Sequence, residues 1–314
     1  MLPDLLSQVR PELQPELRPE LTQAQVALTR AITVTDERGH SRERHIPAAR
    51  PLTLYLDRRE LVTLMTIGAH AELLALGYLR NQRLVKDLSD VRSVQVDWDA
   101  GDHVVPTGRR DDAAARREAD THTDSGGACA IVTRSGVLDI EARTSKRIVT
   151  TGCGQGTVYG SLMDEVDQLV LPDSRLEQGE LYAILETMRE HDSLYKKAGS
   201  VHGCGLFRRG ELLFFTEDVG RHNALDATAG WMWFHGVSSD DTMLYTTGRL
   251  TSEMVIKAAQ MGVAIIASRS GATDMGLRVA EQLGMTLLAR CLNRHFLLYS
   301  GAQRFVSQPE LAVR

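Results

Sequence analysis

One cysteine and three polar segments carry most of the chemistry this sequence could perform. Cys153 lies in the stretch Thr-Gly-Cys-Gly-Gln-Gly, flanked by Gly152 and Gly154, with Gly156 just beyond. The thiolate is the nucleophilic form of cysteine, and it must be reachable to act. Glycine neighbours leave a sulfur uncovered on a loop, where it can meet a second protein's active site. The same spacing also suits an inert cysteine tolerated in a loop, and the residues alone leave both readings open. Of the other three cysteines, Cys204, two residues after His202, fits the interior of a strand. Cys129 adjoins a polar loop and fits a strand start, and Cys291 fits either core or the wall of a pocket.

The polar segments are Glu217-Asp218-Val219-Gly220-Arg221-His222-Asn223, Thr247-Gly248-Arg249-Leu250-Thr251-Ser252-Glu253 and Ser268-Arg269-Ser270-Gly271-Ala272-Thr273-Asp274. In the first, two carboxylates stand beside an arginine and a histidine. Helix capping by Asp218 with exposed charge is its plain alternative. In the second, Thr251 or Ser252 can cap a helix while Arg249 pairs with a phosphate; an ordinary capped turn explains it equally. In the third, small hydroxylated residues around Gly271 let backbone approach a ligand closely. Each segment runs into a helix N-terminus, whose unpaired N–H groups attract anions. Three such segments at one edge of one sheet point to a pocket for a phosphorylated ligand such as a nucleotide.

The elements that must position these residues follow from periodicity. Residues 51–57, Pro-Leu-Thr-Leu-Tyr-Leu-Asp, alternate as a strand with Leu52, Leu54 and Leu56 on one face. A turn is expected at 58–60, a strand at 61–66, a helix at 72–80 and a strand at 91–98. Apolar Leu181, Ile184, Leu185 and Met188 form one helical stripe. A hairpin turns at Arg209–Gly210, and a helix is expected at 221–229. Then come strand 242–247, helix 252–261, strand 263–268, helix 274–283 and strand 285–289, with Gly262 and Gly284 placed as helix C-caps. This alternation predicts parallel strands with right-handed crossovers, an α/β layer preceded by a hairpin. Ligands of such sheets collect at the carboxyl ends of the strands.

The organisation read from the chain has four parts. Residues 1–29 are a mobile Pro/Glu/Leu tail, because Pro-Glu-Leu recurs at 11–13, 15–17 and 19–21 and prolines every four residues prevent a continuous helix. Residues 30–147 are a β-rich N-terminal subdomain with a flexible loop at 106–128. Residues 148–162 are the cysteine loop, and 163–308 the α/β core.

The bulk numbers set limits. A chain of 314 residues with 43% hydrophobic and 25% charged content forms an ordinary globular core. A net charge of −5 and a pI near 6.1 argue against broad nucleic-acid binding. No uncharged apolar run approaches the roughly 18 residues of a membrane span, and the N-terminus lacks the order of a signal peptide. A cytoplasmic location is expected, with no membrane partner. Four scattered cysteines without C-x-x-C spacing give neither a disulfide framework nor a cysteine-rich zinc site.

At this point the residues resemble a known family. Glu217 to Asp226, EDVGRHNALD, is similar to the most distinctive block of the formate dehydrogenase accessory sulfurtransferase family. Leu194 to Gly205, LYKKAGSVHGCG, resembles the block before it, with His202 at the family's histidine. GRLTSEMVIK from Gly248 and the segment from Ser268 to Ala280 resemble the next two, and PLTLYLD, LVTLM and ELLALGYLRN the N-terminal pattern. The likeness covers about residues 45–305.

The resemblance implies a cytidine deaminase-like three-layer α/β sheet with a smaller β-rich N-terminal subdomain, in a homodimer. It implies a sulfurtransferase that receives a persulfide sulfur from a cysteine desulfurase and passes it to the molybdenum bis(molybdopterin guanine dinucleotide) cofactor, a bound substrate destined for formate dehydrogenase. Cys153 takes the place of the first cysteine of the family's C-G-x-C-G loop, the persulfide carrier, while Gly156 replaces the second. The stretch Arg290, Cys291, Leu292, Asn293, Arg294, His295 falls where the family contacts the cofactor, without the usual glycine. Cofactor contacts are further expected from His202, Asp218, Arg221, His222, Arg249, Ser252, Ser270 and Thr273. His202 and His222 are candidates for steadying or protonating the transferred sulfur.

Three rival readings are weighed. A zinc deaminase needs H-x-E and P-C-x-x-C; His70-Ala71-Glu72 supplies the first, nothing supplies the second, and His70 and Glu72 are expected exposed at a helix start. A carrier of the cofactor or of a guanine nucleotide, without sulfur transfer, fits the missing second cysteine. A relative serving another molybdenum or tungsten enzyme fits as well.

Overall fold

A computed structural model describes residues 18–100, 126–136, 148–149, 156–157 and 169–312. Two sheets dominate it, and one helix belongs to the cores of both.

The N-terminal part comprises β1 (Glu20–Leu21), β2 (Thr29–Thr35), β3 (Ser41–Pro47), β4 (Arg50–Leu56), β5 (Arg59–Thr66), α1 (Ala71–Asn81), β6 (Val91–Asp97) and β7 (Gly127–Thr133). A five-stranded sheet has the order β1-β6-β7-β4-β5, and β2 pairs with β3 separately. Period-two alternation buries Leu52, Leu54 and Leu56 completely, in one core with Leu74, Tyr78 and Leu79 of α1. The turn after β4 is Asp57–Arg58, both left-handed with φ of 47° and 71°, a pair whose twist suits a two-residue hairpin. It lies one residue earlier than the expected 58–60, because Asp57 is tied to β7: its carboxylate accepts the Thr133 N–H at 2.8 Å and hydroxyl at 2.6 Å.

The expected mobile tail of 1–29 ends sooner than predicted. Glu20–Leu21 pairs in parallel with Ser93 and Val94. The Thr22 hydroxyl and Ala24 N–H both donate to Glu72 Oε1, at 2.9 and 2.7 Å. Glu72 is therefore not exposed as expected but 5% exposed; a buried carboxylate needs such partners. His70 is exposed, as predicted. Of the expected loop at 106–128, Gly127 and Ala128 already belong to β7. The short strands β8 (Ile148–Val149) and β9 (Gly156–Thr157) pair with each other. Cys153 lies outside the described residues.

The C-terminal part comprises β10 (Leu176–Glu177), α2 (Gln178–Glu190), α3 (Leu194–Ala198), β11 (His202–Arg208), β12 (Glu211–Asp218), α4 (Arg221–His235), β13 (Thr242–Thr246), α5 (Ser252–Gln260), β14 (Ile265–Ser268), α6 (Asp274–Leu283), β15 (Thr286–Leu292), β16 (His295–Ser300) and β17 (Phe305–Val306). The six-stranded sheet has the order β12-β11-β13-β14-β15-β16. β13, β14 and β15 are parallel, while β11 and β16 run against them. Leu181, Ile184 and Leu185 of α2 cover one face over Phe207, Tyr245 and Leu288. Helices α4, α5 and α6 cover the other over Leu206, Leu244 and Leu287. The result is helix, sheet, helix.

Helix α4 runs past the expected end at 229, straight through Gly230. That glycine serves packing rather than termination: a Cβ there would stand 1.9 Å from the Leu73 carbonyl oxygen of α1. Gly77 of α1 answers it, since a Cβ there would stand 1.7 Å from the Asp226 carbonyl oxygen. Helix α4 is thus clasped between α1 and the large sheet. Strand β15 also continues past the expected 289. The backbone turns at Arg290, with φ 56° and an irregular register between Ala289 and Leu292, which swings Cys291 into the core on the α2 face. Among the described residues no helix is long and apolar enough to cross a membrane.

Candidate functional site

The sheet directions gather the expected segments at one edge. The carboxyl ends of β12, β13, β14 and β15 lie there, together with the starts of β11 and β16, as the pairs His202–Asp218, Thr246–Ser268 and Leu292–His295 record. Backbone bonds lace the loops together: Leu250 N–H donates to Gly271 O, Thr273 N–H to Leu250 O at 3.0 Å each, and Arg290 N–H to Ser270 O at 2.8 Å. One cavity at this edge draws on all four segments, through Glu217, Thr247, Arg269 and Cys291, but it does not take in every expected residue. The edge has two sides, and the expected residues divide between them.

On the α4 side stand His202, Arg221, His222 and Arg249. Arg221 is 4% exposed, its stem against Gly248, where a Cβ would come within 2.8 Å of the Arg221 Cβ. Arg249 is exposed and Ser252 half-buried. His222 is 2% exposed. Its Nε2 lies 3.3 Å from Glu253 Oε2, yet neither ring nitrogen has the alignment of a hydrogen bond. Burial holds this imidazole neutral, its pKa pushed down to about 2, with Lys257, Arg221, His202 and Arg249 adding to the effect. Burial also lowers the pKa of the half-buried His202, with Arg221 and Arg249 as further causes. Glu253 was missed in the sequence because an acid in a helix's first turn reads as a complement to the helix dipole.

Asp218, one of the expected ligand residues, is buried and hydrogen-bonded within the fold. Its Oδ2 accepts the Thr66 hydroxyl, and its Oδ1 accepts Gly220 N–H at 3.1 Å and Asn223 Nδ2–H at 3.0 Å. Asn223 also donates to Met65 O at 2.7 Å. The carboxylate is spent on latching the end of β5 to α4, and burial raises its pKa against those hydrogen bonds. Thr273 is likewise engaged, capping α6 by accepting Gly276 N–H at 3.2 Å. Ser270 N–H donates to the Ser268 hydroxyl at 3.0 Å. At the expected cap of α5, Thr251 makes no side-chain cap bond.

On the α2 side a cavity of about 250 Å³ opens at the same edge. Cys291, Leu292 and Asn293 line it, facing Tyr195, Arg269 and Tyr245. Arg269 Cζ lies 5.5 Å over the Tyr195 ring. Glu217 anchors the start of α3, which carries Tyr195, by accepting the backbone N–H groups of Leu194 and Tyr195 at 2.5 and 3.1 Å. Lys196 and Arg189 add two cations to the walls. Aromatic faces beside cations can hold a flat heterocycle and an anionic group together. Cys291 is wholly buried and its thiol is pushed up to about 12 by burial, so it is a wall, not a nucleophile. Arg290, Arg294 and His295 are exposed around the turn, and the Arg290 guanidinium covers Gly271. Tyr195 and Tyr245 escaped the sequence reading because an aromatic within a strand or beside a short helix reads as core.

The comparisons with known proteins agree with one another. The family model described as the FdhD/NarQ family matches residues 47–306. A protein of Listeria innocua named sulfur carrier protein FdhD is 27% identical over 258 residues, covering 81% of this chain and 88% of its own. One of the same name from Bacillus subtilis is 26% identical, covering 81% and 87%. A crystal structure from Desulfotalea psychrophila, described provisionally as a formate dehydrogenase accessory protein, superposes with a TM-score of 0.63 at 24% identity, covering 88% of this chain and 98% of its own.

Proposed function

The chain belongs to the FdhD/NarQ family, and from that premise we propose that it carries sulfur for formate dehydrogenase. The donor is a cysteine desulfurase, and the carrier atom is the sulfur of Cys153. The Cys153 thiolate attacks the outer sulfur of the donor persulfide; the new S–S bond forms as the donor's own S–S bond breaks, and the donor leaves as a thiolate. The acceptor is the molybdenum bis(molybdopterin guanine dinucleotide) cofactor, bound as substrate. Delivery of the sulfur as sulfide consumes two electrons, which a reduced metal centre supplies, and Cys153 returns to thiolate. The protein works as a cytoplasmic homodimer, and its layered sheet is of the cytidine deaminase-like kind.

The observation that carries the cofactor half of this reading is the α2-side cavity, where Tyr195, Arg269 and Lys196 meet the turn at Leu292 and Asn293. A guanine ring suits the aromatic walls, and its phosphates suit the arginines. The relatives' printed name, sulfur carrier protein FdhD, supports the sulfur half. Gly156 at the position of the family's second cysteine favours a second reading, in which the chain carries the cofactor without transferring sulfur.

Intact-protein mass spectrometry after incubation with a cysteine desulfurase and cysteine separates the two. A gain of one sulfur in the wild type and none in Cys153→Ala is expected. No gain in either, with the desulfurase active, would leave the carrier reading standing.

A further inference from the structure

The match to the family model stops at residue 306, but the described chain continues to 312 and closes one wall of a second groove. Gln308 anchors this extension to the start of α2. Its Oε1 accepts Gly179 N–H at 2.9 Å, its backbone N–H donates to Gln178 Oε1 at 2.9 Å, and its Nε2 donates to Glu177 Oε2 at 3.3 Å. Helix α2 has no side-chain cap at Glu177, so Gln308 supplies an acceptor that the helix start lacks. The turn Pro309–Ala312 follows.

That turn brings Leu311 to the wall of a groove of about 640 Å³, opposite Tyr182, Arg189 and Asn293. The Leu311 carbonyl accepts Arg294 Nη1–H at 3.2 Å. From the other side, the Arg294 Cζ lies 5.5 Å over the Tyr182 ring. An exposed arginine normally samples many rotamers, and ordering it on binding costs entropy. Here the planar guanidinium is held between a carbonyl and an aromatic face before any ligand arrives. The groove shares Leu185, Arg189 and Asn293 with the smaller cavity, so a ligand reaching out of that cavity passes Arg294.

We propose that residues 307–312 form a positioning strap, which orients Arg294 towards the phosphates of a guanine nucleotide seated in the neighbouring cavity. The inference rests on the nucleotide reading given above. It makes the strap a determinant of affinity for the anionic part of the ligand and indifferent to the base. Arg294 makes the contact, and Gln308 acts through it.

The experiment is isothermal titration of the full chain with GDP and, separately, with guanosine. The proteins are the wild type, Gln308→Ala, Arg294→Ala and the double variant. Each single change should weaken GDP binding about three- to tenfold, the net worth of one ordinary hydrogen bond. The double variant should be no weaker than Arg294→Ala alone, and guanosine should bind all four alike. GDP binding unchanged in Gln308→Ala overturns the strap while leaving the nucleotide reading intact. Fully additive losses, or equal losses for guanosine, overturn it too, by showing only a structural role. A wild type that binds neither ligand overturns the nucleotide reading and the strap together.

Discussion

Lys257 Nζ lies 2.7 Å from Asp226 Oδ2 with both side chains wholly buried, and Asn81 Nδ2 donates to the other carboxylate oxygen at 2.7 Å. Asp226, in the second turn of α4, is therefore held from α5 on one side and from α1 on the other. A buried pair of this kind contributes little against apolar residues of the same volume, but removing one partner strands a charge. Lys257→Met should destabilise the protein by about 3–5 kcal/mol. The double variant Lys257→Met with Asp226→Leu should recover a large share of that loss. Urea unfolding of both decides the matter, and a double variant as unstable as the single one would mean that packing, not charge, sets the cost.

The crossing of α1 and α4 depends on two absent side chains. Gly77 and Gly230 let backbone touch backbone, and neither site has room for a methyl group. Alanine at either should push the helices apart and destabilise by at least about 1–3 kcal/mol, the usual cost of overpacking, although alanine favours the helix itself. Thermal unfolding of Gly230→Ala measures this. A melting temperature at or above the wild type would show that the crossing tolerates separation.

Part of this was legible in the sequence. Alternation in residues 51–57, the hairpin turn at Arg209–Gly210 and the strand–helix succession from Thr242 onward are local patterns, and local patterns fix local structure. The partners of Glu72 and Asp218 are not local. Each of these acids pairs with residues about 50 or 150 positions away, Thr22 and Thr66, and no spacing rule announces such bonds. Which side of the sheet edge a residue faces was equally hidden, because the irregular backbone at Arg290 reverses the alternation just before Cys291. The sequence could therefore place the expected ligand residues at one edge but could not divide them between its two sides.

Keeping His222 neutral ties stability to pH. Its pKa falls from 6.5 to about 2 in the fold, mainly through burial, so below pH 6.5 the unfolded chain binds a proton that the fold refuses. The contribution is complete above pH 6.5 and is lost as pH falls towards about 2. His202 and His235 shift in the same direction, again mainly through burial. Asp218 works in the opposite sense: its raised pKa favours the fold in acid and that contribution fades as pH rises through the raised value. The urea midpoint should therefore drop between pH 7 and about pH 5, where the histidines titrate. The drop should be shallower in His222→Asn. Identical slopes for the two proteins would show that His222 protonates freely in the fold.

The three described cysteines should be silent towards alkylation. Cys129, Cys204 and Cys291 are all 0% exposed. Burial pushes the thiols of Cys204 and Cys291 up to about 12 and that of Cys129 further still. At pH 8 a thiol with a pKa near 12 is ionised only about one part in ten thousand, and the thiolate is the reactive form. Brief treatment of the native protein with iodoacetamide should then modify Cys153 and leave the other three untouched until urea is added. Peptide mass mapping of wild type and Cys153→Ala reads this directly. Rapid labelling of Cys291 in the native protein would show that the α2-side cavity opens to solvent, and it would make that thiol a second candidate for the sulfur.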